Sequence, residues 1–172
     1  MIRSLLRLNP IGMPRMLSVC AVGLTFACAL PTTVEAGEKG KFKGKSVLVI
    51  TQFHEIKTPE DNPAKSVQIG EWDGVVFNEA GKAFLDNARY QGVWKGDGRG
   101  AGECFKTFTS EAGQVFVSCV GQAQADGSDE GTLVLTGGTG AYKGIKGKGT
   151  YRLKMVADRV MWDILEWEYE IP

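Results

Sequence analysis

From residue 46 to the end of the chain, apolar and polar residues alternate in short runs. The final run, "VMWDILEWEYEI" (160–171), sets Leu165, Trp167 and Tyr169 against Glu166, Glu168 and Glu170. A period of two marks a β-strand with one buried face, because successive side chains leave a strand on opposite sides. The same period recurs upstream. Val47, Val49, Thr51 and Phe53 share one face of a first strand, Trp72, Gly74 and Val76 one face of a second, and Tyr90, Gly92, Trp94 and Gly96 one face of a third. Residues 103–121 read as a hairpin of two more strands, and Leu133 and Leu135 mark another. Tyr151, Leu153 and Met155 then alternate with Thr150, Arg152 and Lys154. Turn-forming clusters separate the runs: "TPEDNP", "KGDGRG", "ADGSDEG", "GGTGAYKG" and "VADR". Only 78–90 has the pattern for a turn or two of helix, and Gly81 weakens it. Residues 54–66 form the longest irregular stretch.

About eight short strands with one apolar face each must bury those faces together, as a sandwich or a closed barrel. Glycines within the strands, such as Gly92, Gly96, Gly121 and Gly149, favour the barrel, since strand glycines mark the tight bends at which a sheet closes. The expected fold is all-β: a single antiparallel, roughly eight-stranded closed barrel over 46–172.

The first 36 residues have a different character. Arg3, Arg7 and Arg15 precede the apolar run "MLSVCAVGLTFACAL" (16–30), and Val34-Glu35-Ala36 follows as a small-residue cleavage site. This is the pattern of a signal peptide, with an apolar run too short to span a bilayer comfortably. Export to the periplasm or the extracellular space is expected, with no stable membrane span after cleavage. The full chain carries 20 basic and 20 acidic residues; beyond residue 36 the balance is 17 to 19, a net charge of −2. Its one basic cluster, "GEKGKFKGK", reads as a flexible, solvated N-terminal tail over 37–45. Nothing here suits nucleic acid as a partner.

Two of the four cysteines, Cys104 and Cys119, lie beyond the leader. In an oxidising compartment pairing is the default. The turn "SEAG" (110–113) lies between them, and their midpoint falls between Glu111 and Ala112. A simple hairpin therefore sets the two cysteines opposite each other, within disulfide reach, unless a bulge at Gly113 shifts the register.

"TLVLTGGTGAYKG" carries Gly138, Gly140 and Gly144 after a strand, which superficially matches a phosphate-binding loop. Such a loop must open a helix, so that backbone amides meet the phosphate. Gly147 and Gly149 follow at once and strand alternation resumes at Tyr151, leaving no room for a helix, and the lysine–threonine ending of a P-loop is missing. The glycines instead supply positive φ for a compact corner between antiparallel strands. "GGTGAYKGIKGKGTY", preceded by "GRGAGECFKTFTSEAGQVFVSCVG", resembles the allene oxide cyclase/dirigent-type barrel superfamily, and in particular its small exported bacterial members. The likeness covers roughly 90–155 and implies an eight-stranded calycin-like or allene oxide cyclase-like barrel, often multimeric, with a mostly apolar interior. In plant relatives that interior holds oxidised fatty acids or guides phenoxy-radical coupling. The matching stretch is the scaffold corner; it places none of those families' functional side chains on this sequence.

The chemistry-bearing residues are few. His54 is the only histidine and lies in a polar stretch, so no metal ligand set and no Ser/His/Asp arrangement can be drawn. Asp126, Asp129 and Glu130 crowd one turn without the spacing of a calcium loop. Asp163 shares parity with Leu165, Trp167 and Tyr169, and Asp73, beside Trp72, shares parity with Val75 and Phe77. Inside an apolar barrel either carboxylate would have a raised pKa and could anchor a ligand or act as an acid. The alternative places both at a barrel mouth, wet or paired with Arg89, Arg152 or Arg159. The candidate pocket residues are thus Trp72, Asp73, Trp94, Tyr151, Asp163 and Trp167. The expected function is non-catalytic binding of a small apolar or amphipathic ligand, with no cofactor and no metal. An isomerase, cyclase or stereo-directing activity is the second reading, and a structural protein or homo-oligomer built through the barrel exterior is the third.

Overall fold

In a computed structural model that describes residues 37–57, 66–80 and 84–172, the alternating runs close into one barrel. The strands are β1 (Glu38–Lys57), β2 (Ser66–Ala80), β3 (Ala88–Gly96), β4 (Ala101–Ser110), β5 (Gly113–Ala123), β6 (Ser128–Gly138), β7 (Lys146–Ala157) and β8 (Val160–Ile171). Each pairs antiparallel with its neighbours in sequence, and β8 returns to β1, so the sheet has no free edge. Closure forces one face of every strand inward, and the period of two becomes an inside and an outside. On β8, Met161, Asp163, Leu165, Trp167 and Tyr169 are buried, and the residues between them are exposed.

Strand β1 departs from the expected pattern in two ways. Its inward residues are Phe42, Ser46 and Leu48, whereas Val47 and Val49 face out, 42% and 47% exposed. A register shift between Ile50 and Gln52 then turns the strand over, and Phe53, opposite Gly70 and 47% exposed, stacks beside Trp94 at the barrel mouth. Val47 and Phe53 share sequence parity but not a face, because the bulge adds one residue between them. The second departure is the lysine cluster. Residues 38–45 are not a solvated tail: they form the first half of β1 and pair with β8. The parity that buries Phe42 turns Lys39, Lys41 and Lys43 outward, opposite Glu170, Glu168 and Glu166 at 3.3, 2.8 and 2.7 Å. These pairs are exposed and each contributes little. The strand itself is held by its ladder and by Phe42, which stacks on Trp167 at 4.3 Å. Residues 54–57, expected to be irregular, instead belong to β1, which runs to Lys57 and carries His54 on its exposed end. Residues 1–36, read above as a signal peptide, lie outside the described residues.

Rings fill one end of the barrel. Phe84 caps it between β2 and β3, stacked on Tyr169 at 4.4 Å and edge-on to Phe42 and Tyr142 at 5.7 and 5.3 Å. The described residues of the 78–90 stretch make no helix; Leu85 and Asn87 turn the chain at φ 56° each, and Leu85 is buried. The glycine corner closes the same end. It is a single 3₁₀ turn at Gly140–Tyr142 that buries Tyr142 and Ile145. Gly140 sits at φ 59° against the Ala112 carbonyl, where any β-carbon would collide. The loop is a structural corner that lays β6–β7 over the β4–β5 turn.

The hairpin β4–β5 pairs in the expected register, with Ser110 opposite Gly113 and Cys104 opposite Cys119. The two cysteines form a disulfide with Cα atoms 5.0 Å apart, facing into the barrel. Replacing both with alanine is expected to lower stability by about 3 kcal/mol, from the restored freedom of the unfolded loop. The urea midpoint of the oxidised protein against the double variant measures it.

Candidate functional site

The opposite end of the barrel is not filled. A cavity of about 300 Å³ opens there, walled by Ile50, Phe53, Trp72, Trp94, Leu153, Met155 and Met161, with Cys104, Lys106, Asp129 and Tyr151 among its other contacts. The bulge in β1 supplies Phe53. The indole of Trp72 lies flat across β3, where a β-carbon at position 92 would overlap it, so Gly92 makes room for the wall. Outside the barrel a wider groove of about 770 Å³ runs over β7, β8 and β1 between the Lys–Glu pairs, largely open to solvent. This partly open cavity, with its apolar wall and few convergent polar groups, has the character of a small-molecule site.

Polar chemistry is concentrated below the cavity. Lys106 lies between Cys104 and Phe108 on the inward side of β4 and is 2% exposed. Its Nζ donates to Asp163 Oδ2 at 2.8 Å, and the same oxygen accepts the Tyr90 hydroxyl at 2.7 Å. The ammonium also lies 4.1 Å from the centre of the Tyr151 ring and 5.5 Å from that of Tyr90. Ser46 Oγ donates to the main-chain oxygen of Asp163 at 3.2 Å. Trp72 Nε1 and Asp163 Oδ1 are buried there without a hydrogen-bond partner. At the cavity wall the Tyr151 hydroxyl donates to Asp129 Oδ1 at 2.6 Å. The turn beyond is held by Asp126, which accepts Ser128 N–H and Oγ at 3.0 and 2.6 Å and Arg152 at 2.7 Å. Those bonds hold its carboxyl down at about 2.

Burial, followed by the nearby Asp163 carboxylate, pushes the Tyr90 phenol well above its ordinary range. Burial and the bond to Asp129 do the same to Tyr151. Both phenols are therefore neutral hydrogen-bond donors across the physiological range. Burial also raises Asp129, against the opposing pull of the Tyr151 hydroxyl and Lys106. A carboxyl with a raised folded pKa favours the native state below its unfolded value, about 3.9, and loses that advantage as pH rises through the folded value. Asp129→Asn is expected to remove this loss. Its stability advantage over the native protein should grow from about pH 4 toward neutrality, as read from urea unfolding across that range.

Of the sequence-predicted pocket residues, Trp72, Trp94 and Tyr151 line the cavity. Asp163 is inside and fully buried, but its partner is Lys106, not any arginine. Asp73 is corrected: it faces outward on β2, where Arg89 grips both its oxygens, at 3.0 Å on Oδ1. Asp73 follows Trp72 directly, and adjacent residues on a strand take opposite faces. Trp167 is corrected as well. It is interior but belongs to the filled end, packed among Phe42, Phe84 and Phe108. Lys106, Asp129 and Tyr90 were not anticipated as site residues. The signal for Lys106 was present: in "CFKTF" it shares parity with Cys104 and Phe108, so a strand whose cysteine faces inward must bury that lysine. Among the described residues no cluster of His, Cys, Asp and Glu could hold a metal ion, and no helix is long and apolar enough to cross a membrane.

No protein-family model and no curated protein sequence matches the chain. Among solved structures it is similar to "Pyocyanin demethylase", at 17% identity and a TM-score of 0.46 over 73% of this chain and 98% of that one. It is also similar to the pterocarpan synthase dirigent protein GePTS1, at 14% identity and a TM-score of 0.49 over 86% and 99%. These are likenesses of fold and place no functional residue on this chain.

Proposed function

We propose that this protein is an exported barrel that binds a small apolar or amphipathic molecule in the cavity at its open end and does no chemistry on it. The observation that carries this reading is the division of the interior. The chain's own rings fill one end, while Trp72, Trp94, Phe53 and Met155 enclose about 300 Å³ at the other. Beneath that space Lys106, which borders it, pairs with the buried Asp163. Kinship with the allene oxide cyclase branch belongs to the same reading and rests on the stretch 90–155. A thermal-shift and native mass-spectrometry screen against fatty acids and aromatic compounds is expected to return one bound molecule per chain and a higher melting temperature. The Trp94→Ala variant should lose both. No shift with any compound, or shifts indifferent to Trp94, would remove this reading.

An isomerase-type activity is the second reading, favoured by Asp129, a carboxyl of raised pKa on the cavity wall. Turnover of a bound compound that Asp129→Asn abolishes would promote it over simple binding. A homo-oligomer is supported by the outer face of β8, β1 and β2, where Val47 lies between Val75 and Trp162, all exposed. Light scattering on the purified protein distinguishes it from a monomer.

A further inference from the structure

The ammonium of Lys106 has three N–H donors, and among the described residues it meets a single oxygen, Asp163 Oδ2 at 2.8 Å. Its other neighbours are the ring faces of Tyr151 and Tyr90. The side chain is 1% exposed, and Lys106 borders the cavity. A buried charged donor with unused hydrogen-bonding capacity beside an apolar cavity calls for an acceptor from the ligand.

The charges nearby say what kind of acceptor. Lys106 and Asp163 already neutralise each other, and Asp129 places another carboxyl on the cavity wall. A ligand carboxylate would gain one ammonium that is already paired and would meet two carboxyl groups, in a setting where unpaired charge is costly. A neutral carbonyl oxygen accepts from Lys106 and adds no charge. Resting on the binding function proposed above, we infer that the ligand is a neutral, largely apolar molecule with a carbonyl oxygen, which Lys106 receives at the cavity floor while Trp72, Trp94 and Phe53 enclose its body. Lys106 is then the specificity-determining residue: Asp163 and Tyr90 hold its ammonium in place, and the apolar wall excludes the water that would otherwise compete for it.

Three probes of one shape separate the possibilities: 2-acetylnaphthalene, 2-ethylnaphthalene and 2-naphthoate, titrated into the purified protein and followed by NMR chemical shifts. The ketone is expected to bind at least about tenfold more tightly than the hydrocarbon, as for a hydrogen bond from a charged donor, and more tightly than the carboxylate. In the Lys106→Met/Asp163→Asn variant, which leaves no lone buried charge and keeps an acceptor for Tyr90, the hydrocarbon should still bind and the preference for the ketone should vanish. Equal binding of ketone and hydrocarbon to the native protein overturns the inference and leaves the binding function standing. Tightest binding of the naphthoate also overturns it, in favour of an acid. If none of the three binds, the cavity reading and this inference fail together. The ranking on the native protein decides the matter even where the variant does not fold.

Discussion

Replacing Asp163 with alanine is expected to cost about 3–5 kcal/mol of folding stability, enough to remove a large share of a small domain's margin. Asp163 and Lys106 are 0% and 1% exposed at the side chain, and one carboxylate oxygen serves both the ammonium and the Tyr90 hydroxyl. Without it, the lysine loses its counter-ion in an apolar interior and a buried phenol loses its acceptor. The pair itself need not stabilise the fold, because desolvating two ions offsets most of their attraction. Lys106→Met combined with Asp163→Leu is therefore expected to recover most of the loss, within about 1–2 kcal/mol of the native protein, the remainder being the unpaired Tyr90 hydroxyl. Urea unfolding of the two single variants and the double variant forms the cycle that measures this coupling. If Asp163→Ala unfolds at the native midpoint, the buried pair is not formed in solution. If the double variant is as unstable as the singles, the cost lies in packing and not in stranded charge.

Trp167→Ala and Trp94→Ala are expected to fail in opposite ways. Trp167 is 3% exposed and wedged among Phe42, Phe84 and Phe108, with centroids 4.3 to 6.5 Å away. Removing its indole leaves a void that β-strands locked in a closed ladder cannot collapse to fill, at a cost of about 3–5 kcal/mol. Ligand binding by whatever fraction stays folded should be unchanged. Trp94 is only partly buried and faces the cavity, stacked loosely on Phe53 at 6.5 Å. Its loss should cost much less stability and most of the affinity. Thermal melts and ligand titrations on both variants check the contrast. Equal stability losses would mean that the two ends of the barrel are packed alike, and the enclosed space would no longer be a binding site.

How far the site was legible follows from parity. Trp72, Trp94 and Tyr151 could be assigned because β2, β3 and β7 keep their period around these residues, the register shifts of β2 and β7 lying beyond them. Phe53 could be assigned to the right face only by accident of a bulge. Asp73 went astray because Val75 and Phe77, the apolar residues that share its parity, are themselves exposed on the outer face. Trp167 was placed inside correctly and in the wrong half, since parity distinguishes inward from outward but says nothing of height along the barrel axis. The lysines of 39–45 read as a tail because a basic run beside a cleavage site has that composition; only pairing with the glutamates of β8 shows the cluster to be one side of a ladder.

The order of residues alone pointed to a sheet closed on itself, with the Cys104–Cys119 hairpin in register and the glycine corner a turn and not a phosphate cradle. Those conclusions rest on local rules: the two-residue period, turn chemistry, and the distance a hairpin fixes between positions equidistant from its tip. Tertiary structure alone decided that one end is filled and the other open, and that Asp163 meets Lys106, 57 residues away in sequence. Which side chains share a level inside a barrel depends on the stagger of all eight strands together, and no single strand carries that information in its own residues.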